Sequence, residues 1–283
     1  MTNINTTTNT KMRADQLLVS RQLATSRAQA QRLIANGLQW RKGDEWKAVT
    51  KNGDEIPDEA EVRLLDDSEA RYVSRGGLKL EAALDKIGLS VAGLVCLDVG
   101  QSTGGFTDCL LQRGAASVVG VDVGSAQLHP RLREDPRVLC VEKVNARSLL
   151  AADLIEAYAH STGVDGQFAA EEGEASEFVP AFDLIVADLS FISQTLVLPA
   201  IVPLLKRGGT LLTLVKPQFE LQPGQVGKHG IVKDDSFYPL IEQRLRDACA
   251  ALGLRVTAWF DSPITGGDGN REFFISAVWR DPA

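Results

Sequence analysis

The sequence predicts an α/β protein: a large domain built on a mostly parallel sheet, preceded by a small α+β module. Three observations carry this expectation. Apolar runs of strand length alternate with helix-length segments from about Leu94 to Trp279. A glycine-rich turn follows the first of those runs. A basic, helix-patterned segment opens the chain, and the polar break Asp66-Asp67-Ser68-Glu69 separates it from the rest. Continuous apolar runs, rather than strict alternation, are what strands buried on both faces require. The 283 residues leave room for one large and one small domain.

The elements follow in order. The first ten residues, MTNINTTTNT, are polar and uncharged, and are expected to be disordered rather than a secretory signal. Residues 11–67 form the small module. Apolar spacing predicts two short helices between Met12 and Asn36, with Thr25 or Ser26 capping the second and Gly37 ending it. Short strands are expected at Leu38–Trp40, Lys47–Val49 and Val62–Leu65, joined by turns at Lys42-Gly43-Asp44 and Asn52-Gly53-Asp54. A linker at 68–73 leads into the large domain, 74–283, whose first helix runs from about Leu78 to Ile87. Its strands are expected at Leu94–Val99, Ser117–Val123, Val138–Val141, Phe182–Asp188, Gly209–Val215, Val256–Asp261 and Phe273–Trp279. An acidic stretch, 161–181, interrupts this order and reads as a flexible insertion.

Composition narrows the function. No run approaches the roughly 18 apolar residues of a membrane span, so the cytoplasm is the expected address. Cys96, Cys109, Cys140 and Cys249 form no CxxC pair, and His129, His160 and His229 are scattered, so no metal site is expected. The net charge of -7 argues against a uniformly basic nucleic-acid binder. Between Lys11 and Lys47, however, eight basic residues stand against three acidic ones. Positive charge concentrated in this way suits a local phosphate-docking face, for which Arg13, Arg21, Arg27, Arg32 and Lys42 are the candidates.

The chemistry is expected in the large domain. In Leu97-Asp98-Val99-Gly100-Gln101-Ser102-Thr103-Gly104-Gly105-Phe106 a strand gives way to a turn whose glycines let backbone and ligand approach closely. Asp122 ends the next strand, where a carboxylate can accept hydrogen bonds from a ribose diol. The GxGxxG spacing is absent, so a nucleoside cofactor fits better than a dinucleotide. Lys79, Asp188, Lys216 and Glu272 are charges that an α/β core does not ordinarily tolerate. Asp188 and Lys216 end apolar strands, which aims both at the crevice beyond the strands' carboxyl ends.

With these residues the chain resembles a known family. Its C-terminal part is similar to the FtsJ/RrmJ-type ribose 2'-O-methyltransferases, whose Lys-Asp-Lys-Glu tetrad would fall on Lys79, Asp188, Lys216 and Glu272. From about Lys11 onward it resembles the TlyA (hemolysin A) family, which joins an S-four-type RNA-binding domain to such a methyltransferase. The resemblance rests on Ser26-Arg27-Ala28-Gln29-Ala30-Gln31-Arg32-Leu33-Ile34, Tyr72-Val73-Ser74-Arg75-Gly76-Gly77-Leu78-Lys79-Leu80, Ser102-Thr103-Gly104-Gly105-Phe106-Thr107-Asp108, Asp188-Leu189-Ser190-Phe191-Ile192-Ser193, and Ser262-Pro263-Ile264 with Gly269-Asn270-Arg271-Glu272. Gln101 departs from the small residue usual in its turn, and Trp40-Arg41-Lys42-Gly43 from a more usual Val-Asn-Gly.

The resemblance implies a Rossmann-like class I methyltransferase that uses S-adenosylmethionine on ribosomal RNA or ribosomal subunits, with cytidine as target. Cofactor contacts would come from Asp98, Gly100, Ser102, Thr103, Gly104, Gly105, Phe106, Asp122 and Asp188, and RNA contacts from the basic residues above together with Arg75. Lys216 is the expected base, with Lys79 as the neighbouring cation, Asp188 orienting the lysine, and Glu272 tying Lys79 and the ribose together. Membrane lysis, suggested by the hemolysin name alone, lacks a spanning or long basic amphipathic segment. A non-catalytic RNA-binding factor would not need the tetrad. A pseudouridine synthase would not need the glycine-rich turn with Asp122.

Overall fold

The computed structural model describes residues 10–65, 70–164, 178–266 and 269–279. The chain divides into two compact units, Met1–Arg75 and Gly76–Ala283. The expected disorder of the first residues and most of the acidic stretch 161–181 lie outside the described residues.

The first unit runs β1 (Lys11–Arg13), α1 (Ala14–Ser20), α2 (Arg27–Ala35), β2 (Leu38–Lys42), β3 (Glu45–Val49), β4 (Glu55–Pro57) and β5 (Val62–Leu64). Ala14, Leu17 and Leu18 of α1 meet Ala30, Leu33 and Ile34 of α2 over Leu38, Val49 and Ile56, a small closed core. Ser26 caps α2 by accepting from the Gln29 amide, while the Gln29 side chain accepts from the Thr25 amide at 2.6 Å. The first bond satisfies a donor that the first helical turn leaves open, and the second ties the residue before the cap to the helix. Strands β3, β2 and β5 form one antiparallel sheet, and β1 pairs with β4. Asp15 is buried, and its carboxylate is held by Arg13 at 3.0 Å and Arg27 at 2.9 Å. Those guanidiniums keep it well below the usual carboxylate range. Tyr72 and Val73, in the span read as linker, are buried.

The helix α3 (Arg75–Ile87) opens at the last residue of the first unit. The second unit continues through β6 (Val95–Val99), α4 (Gly105–Gln112), β7 (Ser117–Asp122), α5 (Pro130–Arg133), β8 (Val138–Glu142), α6 (Ala151–Val164), β9 (Phe182–Asp188), α7 (Gln194–Ile201), β10 (Leu205–Val215), α8 (Pro217–Glu220), α9 (Phe237–Ala251), β11 (Leu254–Asp261) and β12 (Phe273–Trp279). The sheet order is β11-β12-β10-β9-β6-β7-β8. Strands β10, β9, β6, β7 and β8 run parallel, and β12 is antiparallel to both β10 and β11.

Both faces of the sheet are buried, which is why its strands read as unbroken apolar runs. Leu97, Val119, Ile185 and Leu211 pack on one face with Leu154 of α6, Leu198 of α7 and Leu245 of α9. Cys96, Val118, Leu184 and Phe274 alternate with them and are equally buried. On that second face Phe106 of α4 stacks with Phe274, ring centres 6.4 Å apart. The chain starts the sheet at β6, adds β7 and β8 on one side, then crosses to place β9 and β10 on the other. The order therefore reverses between β6 and β9, the point at which an open α/β sheet leaves a crevice. Among the described residues no helix is long and apolar enough to cross a membrane.

Candidate active site

Strand register brings the charges together. Asp188, the last residue of β9, lies beside Leu214 of β10, so Lys216 emerges two residues further along the same edge. Val215 lies beside Phe273 of β12, which puts Glu272 at that edge too, at the start of an antiparallel strand. Lys79 comes from the first turns of α3. The four sequence-predicted residues form two ion pairs. Lys79 donates to Glu272, with side chains 10% and 3% exposed, and Lys216 pairs with Asp188 at 2.6 Å. Lys216 also donates to the Ser190 hydroxyl at 3.0 Å. Burial pushes the Glu272 carboxyl up, and the charge of Lys79 opposes that shift; Lys216 and Asp188 also act on it electrostatically.

A cavity of about 470 Å³ opens next to this cluster at the switch point, lined by Gly100, Ser102, Asp122, Asp188, Ser190 and Phe191 among others. Gly100 is at φ +85°, and a Cβ there would fall 2.6 Å from the Asp188 carbonyl oxygen, so the turn can cross the end of β9 only as glycine. Asp122 accepts from the amides of Ser102 and Gly124, each at 2.7 Å. It thereby ties the turn to β7 while facing the cavity.

The remaining cofactor candidates lie around the cavity rather than along it. Asp98 is completely buried and accepts from the Thr107 hydroxyl at 2.7 Å; desolvation pushes its carboxyl up to about 7. Gly104, in the left-handed conformation, caps α4, and Gly105 and Phe106 are buried in that helix. The Thr103 carbonyl accepts from the His129 amide at 3.3 Å. Of the basic candidates, Arg13 and Arg27 are held on Asp15, and Arg21 donates to the Ala60 carbonyl at 2.6 Å and to that of Asp58. Lys42 is exposed, and Arg32 and Arg75 are half-buried.

Sequence reasoning missed Phe191 as a site residue. It is 89% exposed beside the cavity, takes the left-handed conformation at φ 64°, and meets the Phe219 ring at 5.0 Å. The ring is thus an exposed apolar group carried by a backbone conformation that bulky residues rarely adopt. No periodicity marks it, because it belongs to neither a strand nor a helix. Glu220 was missed as well: buried, it accepts from Ser193 at 2.6 Å, the Gln194 amide at 2.7 Å and Arg244 at 3.1 Å, and so fixes the segment after Phe191.

The donors fit S-adenosylmethionine: a carboxylate at the end of β7 could take the ribose diol and a glycine-cradled turn the amino-acid end, with Asp188 of the charged cluster on the same cavity. Fold and site define a methyltransferase. Residues 72–279 match the FtsJ-like methyltransferase family model, and the chain belongs to that family, with S-adenosylmethionine as methyl donor. The particular resemblance is to TlyA proteins. The chain is 40% identical to the 16S/23S rRNA (cytidine-2'-O)-methyltransferase TlyA of Mycobacterium tuberculosis, across 94% of this chain and 89% of the relative. It is 36% identical to hemolysin A of Brachyspira hyodysenteriae, across 94% and 100%. A solved chain from Streptococcus thermophilus, described as a candidate hemolysin, superposes with a TM-score of 0.67 at 37% identity, covering 96% of this chain and 90% of that one.

Proposed function

We propose that this protein methylates a ribose 2'-hydroxyl in ribosomal RNA, at a cytidine. The observation that carries this reading is the pairing of Lys79 with Glu272 and of Lys216 with Asp188, the last of which lines the cavity. When bound, the donor supplies an electrophilic methyl on sulfonium. This chain's residues then have to bring the hydroxyl into line and take its proton. Lys216 Nζ is the proton acceptor, and Asp188 sets its direction at 2.6 Å. Glu272, anchored by Lys79, accepts a hydrogen bond from the incoming ribose and fixes its pose. Asp122 holds the ribose of the donor, and Gly100 and Ser102 line its amino-acid end. Phe191 stacks on the target base, which an enzyme acting on a single splayed nucleotide must hold outside its own stack.

The first unit, from residue 11, serves as the RNA-binding domain. Its arginines are held by Asp15 and by backbone carbonyls yet remain part-exposed, so phosphate meets donors that are already placed. Ribosomal RNA or a ribosomal subunit is then the partner, and the cytoplasm the site of action. The test is mass mapping of ribose methylation in ribosomal RNA with and without the protein. One cytidine methylated only in its presence is expected, and an identical methylation map overturns the reading.

A further inference from the structure

The glycine-rich turn rests on a chain of buried polar groups that the chemistry above does not use. Gln101 is 3% exposed, and Thr107 and Asp98 are fully buried. The Gln101 amide donates to the Thr107 hydroxyl at 3.0 Å, and that hydroxyl donates to Asp98 Oδ2 at 2.7 Å. With Asp98 ionised, the one Thr107 proton goes to the carboxylate oxygen and the hydroxyl lone pairs are left for the amide. To reach Thr107 the Gln101 side chain crosses β7 at Gly120, which lies in register with Asp98. A Cβ at Gly120 would fall 1.9 Å from the Gln101 amide nitrogen. Gly120 has no left-handed φ, so its backbone would admit alanine; what excludes a side chain there is the glutamine.

The turn above this tether is not a shape a chain relaxes into. Gly100, Ser102 and Gly104 all take positive φ, at 85°, 48° and 93°. The amides of Gly100 and Gln101 both reach the Val121 carbonyl, at 2.8 and 3.1 Å. Residue 101 sits between Gly100 and Ser102, which both line the cavity.

We propose that Gln101 is a positioning residue for the methyl donor, tethering the 100–104 turn through Thr107 to Asp98, and that Gly120 is glycine in order to admit it. The proposal rests on the reading of the cavity as the S-adenosylmethionine site. Gln101 touches no reacting atom. It fixes the turn that lines one end of the donor's cavity, so its loss acts on donor affinity rather than on turnover.

The experiment uses the full chain, with S-adenosylhomocysteine calorimetry and steady-state kinetics. Gln101→Ala and Gln101→Met should each weaken S-adenosylhomocysteine binding and raise the donor KM by roughly 5- to 10-fold, the worth of one buried hydrogen bond. The kcat at saturating donor and the KM for RNA should stay unchanged. Gly120→Ala alone should do the same, because its methyl evicts the amide. The Gln101→Ala/Gly120→Ala double variant should be no worse than Gln101→Ala. Wild-type affinity in Gln101→Met overturns the proposal, since filled space alone would then suffice. So do strictly additive effects of the two alanines, or a fall in kcat with an unchanged donor KM. If the wild-type protein itself fails to bind S-adenosylhomocysteine, the reading of the cavity falls and the tether's role falls with it. Wild-type binding with unaltered variants removes the tether alone.

Discussion

At the scale of the residue, the site asks a different task of each charged group. Lys216 must give up a proton to be a base, and a guanidinium cannot do so at working pH. Lys216→Ala is expected to cut single-turnover methylation by about 100- to 10,000-fold, and Lys216→Arg should not restore it. Near-wild-type turnover in the arginine variant would leave Lys216 an electrostatic role only. Phe191→Ala should leave donor affinity intact and weaken productive RNA binding by about 1–3 kcal/mol, the usual worth of stacking one base on an aromatic ring; equal RNA KM values in variant and wild type would remove the stacking role. Asp98 makes a prediction about pH. Its carboxyl is pushed up to about 7 by burial, against roughly 3.9 in an unfolded chain. The folded protein therefore keeps a proton that the unfolded chain releases from about pH 4 upward. The corresponding stability is present in full below that range and is lost as pH rises through about 7. Thermal melts should show a falling midpoint across this window, and Asp98→Asn should flatten the slope; parallel curves would mean that Asp98 titrates normally.

At the scale of the element, the strands were legible and their partners were not. The apolar runs located β6, β7, β8, β9 and β12 closely, because burial on both faces leaves no polar alternation to confuse the reading. β10 begins at Leu205 rather than Gly209 because its pairing with β9 shifts between Leu205 and Thr210. That irregularity hides the first residues behind Lys206, Arg207 and two glycines. β1 and β4, three residues each, are too short to carry a period. Asp188 and Lys216 could be seen as strand-end charges, whereas the tie between Lys79 and Glu272 came from the family resemblance alone, because local sequence does not specify which strand lies beside β10. In the first unit Arg13, Arg21 and Arg27, expected as phosphate contacts, are also structural ties. Asp15, held below its ordinary range by Arg13 and Arg27, stabilises α1 and α2 above about pH 4, and that support is lost as pH falls. Asp15→Asn should raise hydrogen exchange across residues 10–65 at pH 7, approaching the wild-type pattern in acid. Unchanged exchange at pH 7 would mean that the pair contributes nothing.

At the scale of the whole molecule, a chain of net charge -7 concentrates positive charge between Lys11 and Lys47, the segment proposed to meet RNA. RNA affinity should fall steeply with salt. Lys42→Gln is the cleanest probe of that face, because Lys42 is exposed, whereas Arg13, Arg21 and Arg27 double as structural ties. It should weaken RNA binding uniformly and reduce the salt slope by about 1, with donor affinity unaffected. An unchanged slope would place the phosphate contacts elsewhere.

The antiparallel course of β12 also has a consequence for the order of events in the cell. Lys79 and Glu272 stand 193 positions apart in the chain, and Glu272 reaches the site only when β12 docks between β10 and β11. Domains made on the ribosome fold from their beginning onward, and a contact this distant must wait for the loop between its ends to close. The first unit can therefore fold while the four-charge cluster is still incomplete. The cluster is complete only once β12 delivers Glu272, its final member in chain order.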